Sequence, residues 1–249
     1  MIAPASDELA HITNLQIYVG VVDYDHMDRA GSIIAHTSAL QGLDLEFREM
    51  GIYEDEEYCD GAVRIMEDMF YARTKPGQAM RLKSLRITSM CLLLVSEVLT
   101  TVLELKDLKH LQLVRCKDID PFLRRLEPFG LNLSSLCIED LDQEDWTDYA
   151  IVDFIRSLGP LKRLTLRFNN MEGFDQDALL SHKSSLESLR IEDDPMEEQP
   201  IEHAFRYAPN LEQLALSGFY LEDGWLPDDQ DPFCDTPDLL VSVGSSYSN

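Results

Sequence analysis

The chain is predicted to be an α/β solenoid: a horseshoe of about eight repeats, with a parallel sheet on the concave side and helices on the convex side. Three observations lead there. An apolar triplet, whose second member follows the first by three positions and whose third follows the second by two, occurs eight times: Ile12/Leu15/Ile17, Leu40/Leu43/Leu45, Leu82/Leu85/Ile87, Leu108/Leu111/Leu113, Leu133/Leu136/Ile138, Leu161/Leu164/Leu166, Leu186/Leu189/Ile191 and Leu211/Leu214/Leu216. The steps between first positions are 28, 42, 26, 25, 28, 25 and 25 residues, and all but the second fall within roughly 20–29, one strand and one helix per unit. Between the triplets lie stretches with apolar residues at steps of three and four, one face of a helix. The last two residues of a triplet are two apart and so share one face of a short strand. A lone unit cannot bury that face; stacked units make a continuous core.

The elements follow in order. A first strand is expected at Asn14–Val19, a helix at Asp23–Ala39 and a second strand at Gly42–Phe47. The long second step holds a helix from about Glu57 to Arg73, whose Cys59, Ala62, Val63, Met66, Met69 and Phe70 share a face. Its acidic start, Glu54-Asp55-Glu56-Glu57, suits the positive end of the helix dipole, and Thr74-Lys75-Pro76-Gly77 stops it. Met90–Leu99 reads as a short buried helix. Asp120-Pro121 opens the next one, with Asp120 as N-cap and Phe122, Leu123, Leu126 and Phe129 turned inward. Trp146 to Leu158 forms another, ended by Gly159-Pro160. Asp175–His182 is shorter, and Glu197–Ala208 runs up to Pro209. Repeats span residues 1–220. Residues 221–249 are expected to form an acidic, mobile tail, in which Leu239-Leu240-Val241 docks back, stays disordered or, as the least favoured alternative, serves as a short linear motif.

Of the 249 residues, 46 are acidic and 21 basic, a net charge of −25. Residues 192–249 hold 14 acids and one arginine. Such a chain repels phosphate backbones, which argues against nucleic acid as a partner; it attracts basic ones. The apolar run Met90–Val95 is too short to span a membrane. The N-terminus lacks the basic and apolar regions of a signal peptide, and five cysteines without paired spacing fit reduced thiols. The expected compartment is the cytoplasm or nucleus.

Leu108-Lys109-His110-Leu111-Gln112-Leu113-Val114-Arg115-Cys116 and Ala208-Pro209-Asn210-Leu211-Glu212-Gln213-Leu214-Ala215-Leu216 carry a family resemblance. The chain resembles leucine-rich-repeat proteins of the ribonuclease-inhibitor type, and most of all the irregular repeats of fungal F-box/LRR-like proteins, over about residues 9–220. In such repeats the ninth position often holds Asn or Cys, which hydrogen-bonds the turn; Asn169 and Cys116 stand there. The resemblance implies substrate capture by the repeats, and docking on the adaptor of an SCF ubiquitin ligase by an N-terminal F-box. Residues 1–11 leave no room for that helix bundle, so the expectation is an F-box-like scaffold without an F-box.

Residues flanking the inward leucines are expected on the concave face in three columns. The first runs Asn14, Gly42, Ser84, His110, Ser135, Arg163, Ser188, Gln213. The second runs Gln16, Asp44, Arg86, Gln112, Cys137, Thr165, Arg190, Ala215. The third runs Tyr18, Glu46, Thr88, Val114, Glu139, Arg167, Glu192, Ser217. Acids and arginines balance there, so the excess acid lies elsewhere. Candidate partner-binding residues are Tyr18 and Phe168 as aromatic anchors, and Arg86, His110, Arg163, Arg167 and Arg190. The arginines either offer a forked cationic patch to an acidic peptide or phosphate, or pair with Glu139 and Glu192 in a lateral ladder.

Signatures of chemistry are missing. There is no H-x-x-x-H, H-E-x-x-H or C-x-x-C for zinc, and no phosphate-loop, dinucleotide or nucleophile-elbow motif. His110 and Cys137 fall on neighbouring strands, but no third group orients them. The expectation is therefore a non-enzymatic protein-interaction module without cofactor or metal. The alternative is an acidic inhibitor or chaperone-like protein that wraps a basic partner.

Overall fold

The computed structural model describes residues 10–19, 24–47, 66–73, 79–139, 150–167, 177–192, 208–217 and 240–244. It is an α/β structure in which parallel strands alternate with helices. The chain divides into two compact units, Met1–Leu133 and Ser134–Asn249. The division falls inside the stretch that the sequence reading takes as one repeat domain, 1–220.

In the first unit the order is β1 (Asn14–Val19), α1 (Tyr24–His36), β2 (Gly42–Phe47), a helical stretch at 66–70 that tightens into a 3₁₀ turn at Tyr71–Arg73, β3 (Ser84–Thr88), α2 (Leu92–Val102), a 3₁₀ turn at Leu105–Asp107, β4 (His110–Val114), α3 (Ile119–Leu126) and a 3₁₀ turn at Glu127–Phe129. Strands β1 to β4 pair in sequence order, all parallel. The second unit runs β5 (Ser135–Glu139), α4 (Ala150–Ser157), β6 (Arg163–Arg167), α5 (Asp177–Leu180), β7 (Ser188–Glu192), β8 (Gln213–Ser217) and β9 (Leu240–Gly244). Strands β5 to β9 likewise pair in order and parallel.

The triplets explain this arrangement. Each of the first eight strands carries the last two members of one triplet, and the register sets like against like. Leu43, Leu85 and Leu111 are partners, as are Leu45, Ile87 and Leu113. In the second unit Leu136, Leu164, Leu189 and Leu214 align in the same way. From Leu40 to Ile191 every triplet member is buried. Burying one such side chain contributes about 1.5–3 kcal/mol. Exposure returns at the first triplet, where Ile12 and Leu15 are half-buried.

A second regularity joins neighbouring repeats where the chain enters each strand. The carbonyl of Thr13 accepts the N–H groups of Gln41 (2.7 Å) and Gly42 (2.9 Å); that of Gln41 accepts those of Lys83 (2.7 Å) and Ser84 (3.0 Å); that of Lys83 accepts those of Lys109 (2.8 Å) and His110 (2.9 Å). The second unit repeats the device from Ser134 to Lys162 and Arg163, from Lys162 to Glu187 and Ser188, and from Glu187 to Glu212 and Gln213. One carbonyl with two lone pairs thus satisfies two buried-edge donors per repeat.

Helices pack where the sequence puts apolar faces. Met66, Met69 and Phe70 are buried, as are Leu92, Val95, Leu99 and Val102 of α2. The remaining members of the first of these faces, Cys59, Ala62 and Val63, lie outside the described residues, as do Trp146, Tyr149 and all of the predicted helix Glu197–Ala208 except its last residue. Cys116 behaves as its motif position suggests: its buried thiol points at the carbonyls of Ile87 (3.4 Å) and Val114 (3.5 Å). Asn169 lies outside the described residues.

Two details differ from expectation. The residue before α3 is Asp118, in the left-handed region at φ 54°, and Asp120 lies within the first turn. Aspartate tolerates that backbone better than most side chains, while Asp120 still suits the helix dipole. Phe129 is exposed, because it falls in the 3₁₀ turn after α3, where a three-residue period rotates it off the buried face.

His182 replaces the end of a longer helix. It is 2 % exposed. Its Nε2–H donates to the carbonyl of Ile155 (2.8 Å), and its Nδ1 accepts the N–H of Leu161 (3.4 Å). A carbonyl needs a donor and an amide needs an acceptor, so the two partners define one neutral tautomer. The ring thereby ties the end of α4 to the approach to β6.

Leu240–Gly244, which the sequence reading puts in the tail, forms β9 and extends the sheet of the second unit beyond β8. The rest of 221–249 lies outside the described residues. No helix among the described residues is long and apolar enough to cross a membrane.

Candidate binding face

Because strand side chains alternate, inward leucines force the residues between them onto the opposite face. The register confirms the three columns within each unit. In the first unit they are Asn14–Gly42–Ser84–His110, Gln16–Asp44–Arg86–Gln112 and Tyr18–Glu46–Thr88–Val114. In the second they run from Ser135, Cys137 and Glu139 to Gln213, Ala215 and Ser217, with β9 adding Leu240, Ser242 and Gly244 at the register positions beyond.

On the first unit Tyr18 is 57 % exposed, and its hydroxyl accepts a hydrogen bond from Gln16 Nε2 (2.7 Å). Arg86 reaches Asp44 across the strand pair at 3.8 Å. Burial raises the pKa of Asp44; Arg86 pulls it back down and Glu46 adds to the rise. Asp44 Oδ1 and Thr88 Oγ1 are buried without a hydrogen-bond partner. This part of the face is thus more enclosed than its composition suggests. His110 opens β4 in the first column and is half-buried.

On the second unit the arginines meet Glu192. Arg167 Nε lies 3.0 Å from Glu192 Oε2, and Arg190 Nε donates to Oε1 at 2.5 Å. One carboxylate therefore engages two guanidinium groups, one from the neighbouring strand and one from its own. Arg163 stands apart, four residues before Arg167 on β6 and so about 13 Å along the strand. It is exposed, and its guanidinium makes no hydrogen bond or ion pair among the described residues. Of the ladder, the Arg167–Glu192 pair forms; Arg190 joins the same carboxylate, Arg86 is held by Asp44, and the Arg163 guanidinium stands apart from them. Cys137 donates its thiol hydrogen toward Glu139 Oε1 (3.5 Å). Phe168 lies outside the described residues. Among those residues no cluster of three His, Cys, Asp or Glu side chains is placed to hold a metal ion.

Sequence reasoning missed a fourth column, the residue just before each strand. It reads Thr13, Gln41, Lys83, Lys109 in the first unit and Ser134, Lys162, Glu187, Glu212 in the second. Lys162 and Glu187 are ion-paired at 2.6 Å. The signal was present in each triplet, as the residue after its first member.

Searches against models of known protein families and against curated proteins find no match to this chain.

Proposed function

We propose that this chain is a leucine-rich-repeat interaction module of the ribonuclease-inhibitor type, which captures a protein partner on the polar face of its parallel sheet in the cytoplasm or nucleus. The observation that carries this reading is the register. Buried leucines stack on one face and leave ordered columns of polar side chains on the other, with Tyr18 and Arg163 exposed. Exposed aromatic and arginine side chains on a rigid sheet are what protein interfaces favour. The partner that fits Arg163 beside the Arg167–Glu192–Arg190 cluster is an acidic segment. A role as substrate receptor of an SCF ligase is the extension that the F-box resemblance suggests, and co-purification with the SCF adaptor is its test.

The experiment is an affinity capture from cell extract with the full chain and with an Arg163→Glu/Arg167→Glu variant. A partner bound on this face is recovered at least about tenfold less well by the variant, equivalent to ~1.4 kcal/mol. Equal recovery contradicts the reading. A second reading is supported by the net charge of −25: the acidic surface binds a basic partner. It predicts binding that falls steeply with added salt and is indifferent to the arginine reversals.

A further inference from the structure

A cavity of about 520 Å³ lies in the first unit, where the chain enters β2, β3 and β4. Its wall is made by the segment Thr37–Gln41, by Arg73, by Arg81 and Lys83 ahead of β3, and by Asp107 and Lys109 ahead of β4. Four cations and one carboxylate line it, in a chain with more than twice as many acids as bases.

The cations differ in how far the fold already uses them. Arg73 donates from Nη2 to the carbonyls of Ile34 (2.7 Å) and Thr37 (3.1 Å), and from Nε to Ile34 (3.3 Å). It thereby caps the end of α1, and its charge is held against the cavity wall. Lys109 donates to the carbonyl of Asn132 (3.1 Å), so its ammonium group is already engaged by the fold. Arg81 is 80 % exposed, and its contact with Asp107 is a loose 3.9 Å, an arrangement that restrains a guanidinium weakly. Lys83 makes no side-chain hydrogen bond or ion pair among the described residues.

We propose that this cavity binds a small polyvalent phosphate, gripped by Arg81 and Lys83 over a floor made positive by Arg73 and Lys109. The volume is that of a small-molecule site. Arginine supplies a planar fork and lysine a mobile point charge, the pair of groups that phosphate oxygens take best. A concave positive site on an otherwise acidic molecule also focuses the field on an incoming anion. This site lies at the strand entries, at the fourth column rather than the three column positions within the strands, and stands whether or not those positions bind protein.

Titration calorimetry on the full chain, at fixed ionic strength, uses pyrophosphate as the probe and a phosphoserine peptide as the second arm. Saturable one-site binding of pyrophosphate is expected. The Arg81→Glu/Lys83→Glu variant should weaken it at least about tenfold. Both side chains are exposed, so its melting curve should match the parent. A Lys183→Glu control in the second unit should bind as the parent does. Competition between peptide and pyrophosphate assigns the phosphate to a protein partner; binding of pyrophosphate alone assigns it to a free small molecule. No saturable heat with either probe, or undiminished binding by the double variant, overturns the proposal.

Discussion

His182 illustrates how much a single side chain can hold when both ring nitrogens have work. Removing it in His182→Ala leaves the Leu161 N–H without its acceptor, while the Ile155 carbonyl keeps the N–H of Leu158 (3.2 Å). An orphaned buried donor costs about 1–3 kcal/mol, and chemical denaturation should show a loss in that range. A loss below about 1 kcal/mol would mean that the staple is dispensable. Asp44 gives the opposite sign. Burial raises its pKa, so the folded state binds that proton more tightly than the unfolded chain does. Stability contributed by this group is present at low pH and falls as pH rises through the folded-state pKa. Asp44→Asn should therefore be more stable than the parent at neutral pH, and the gap should close on acidification. Denaturant melts at both pH values check this; a variant weaker than the parent at neutral pH would show that the Arg86 contact outweighs burial. Neither residue was legible in advance. A histidine after a short helix and an aspartate on a strand carry no pattern of their own; their roles come from what the fold packs around them.

At the scale of elements, the triplets decide. Leu113 is fully buried beside Ile87, whereas Leu93 in α2 is 47 % exposed. Leu113→Ala should lose about 2–5 kcal/mol, and Leu93→Ala no more than about 0.5 kcal/mol. Comparable losses would refute the assignment of faces. Gly130 closes the turn after α3 at φ +57° with open space where a side chain would go. Gly130→Ala should therefore cost about 1 kcal/mol through backbone strain alone. The strand positions were readable because a three-then-two apolar spacing belongs to a strand entered from a fixed direction, and repetition removes the ambiguity of any single instance. Helix ends were less readable. Asp118 and Asp120 are both sound choices on local chemistry, and the turn after β4 selects between them. β9 was legible only as one of the fates of Leu239-Leu240-Val241, docking back, because Leu240–Gly244 has no triplet to mark it as a strand; it pairs with β8.

For the molecule as a whole, charge and architecture say different things. The sheet face balances acids against arginines, while the chain carries −25 overall. The columns of the polar face were fully legible, since alternation follows from the leucines. What the columns do to one another was not: the sequence allows a ladder or a patch, and the geometry around Glu192 pairs Arg167 and Arg190 with one carboxylate. The basic cavity escaped notice because Arg73 and Lys109 stand in different segments from Arg81 and Lys83, and the four meet only where the strand entries converge. Binding measured against ionic strength belongs at this scale. Capture on the polar face should depend on Arg163 and Arg167 at every salt concentration, whereas a partner held by the acidic surface should lose most of its affinity between low and physiological salt whether or not those arginines are reversed.

The central claim is that leucines line one face of the sheet and that the working surface is the other. Cysteine substitutions along β6, at Arg163, Leu164, Thr165 and Leu166, followed by peptide-level alkylation rates, test it most directly. Positions 163 and 165 should label at least about tenfold faster than 164 and 166, as alternation across a strand requires. Uniform labelling, or faster labelling at 164 and 166, would contradict it.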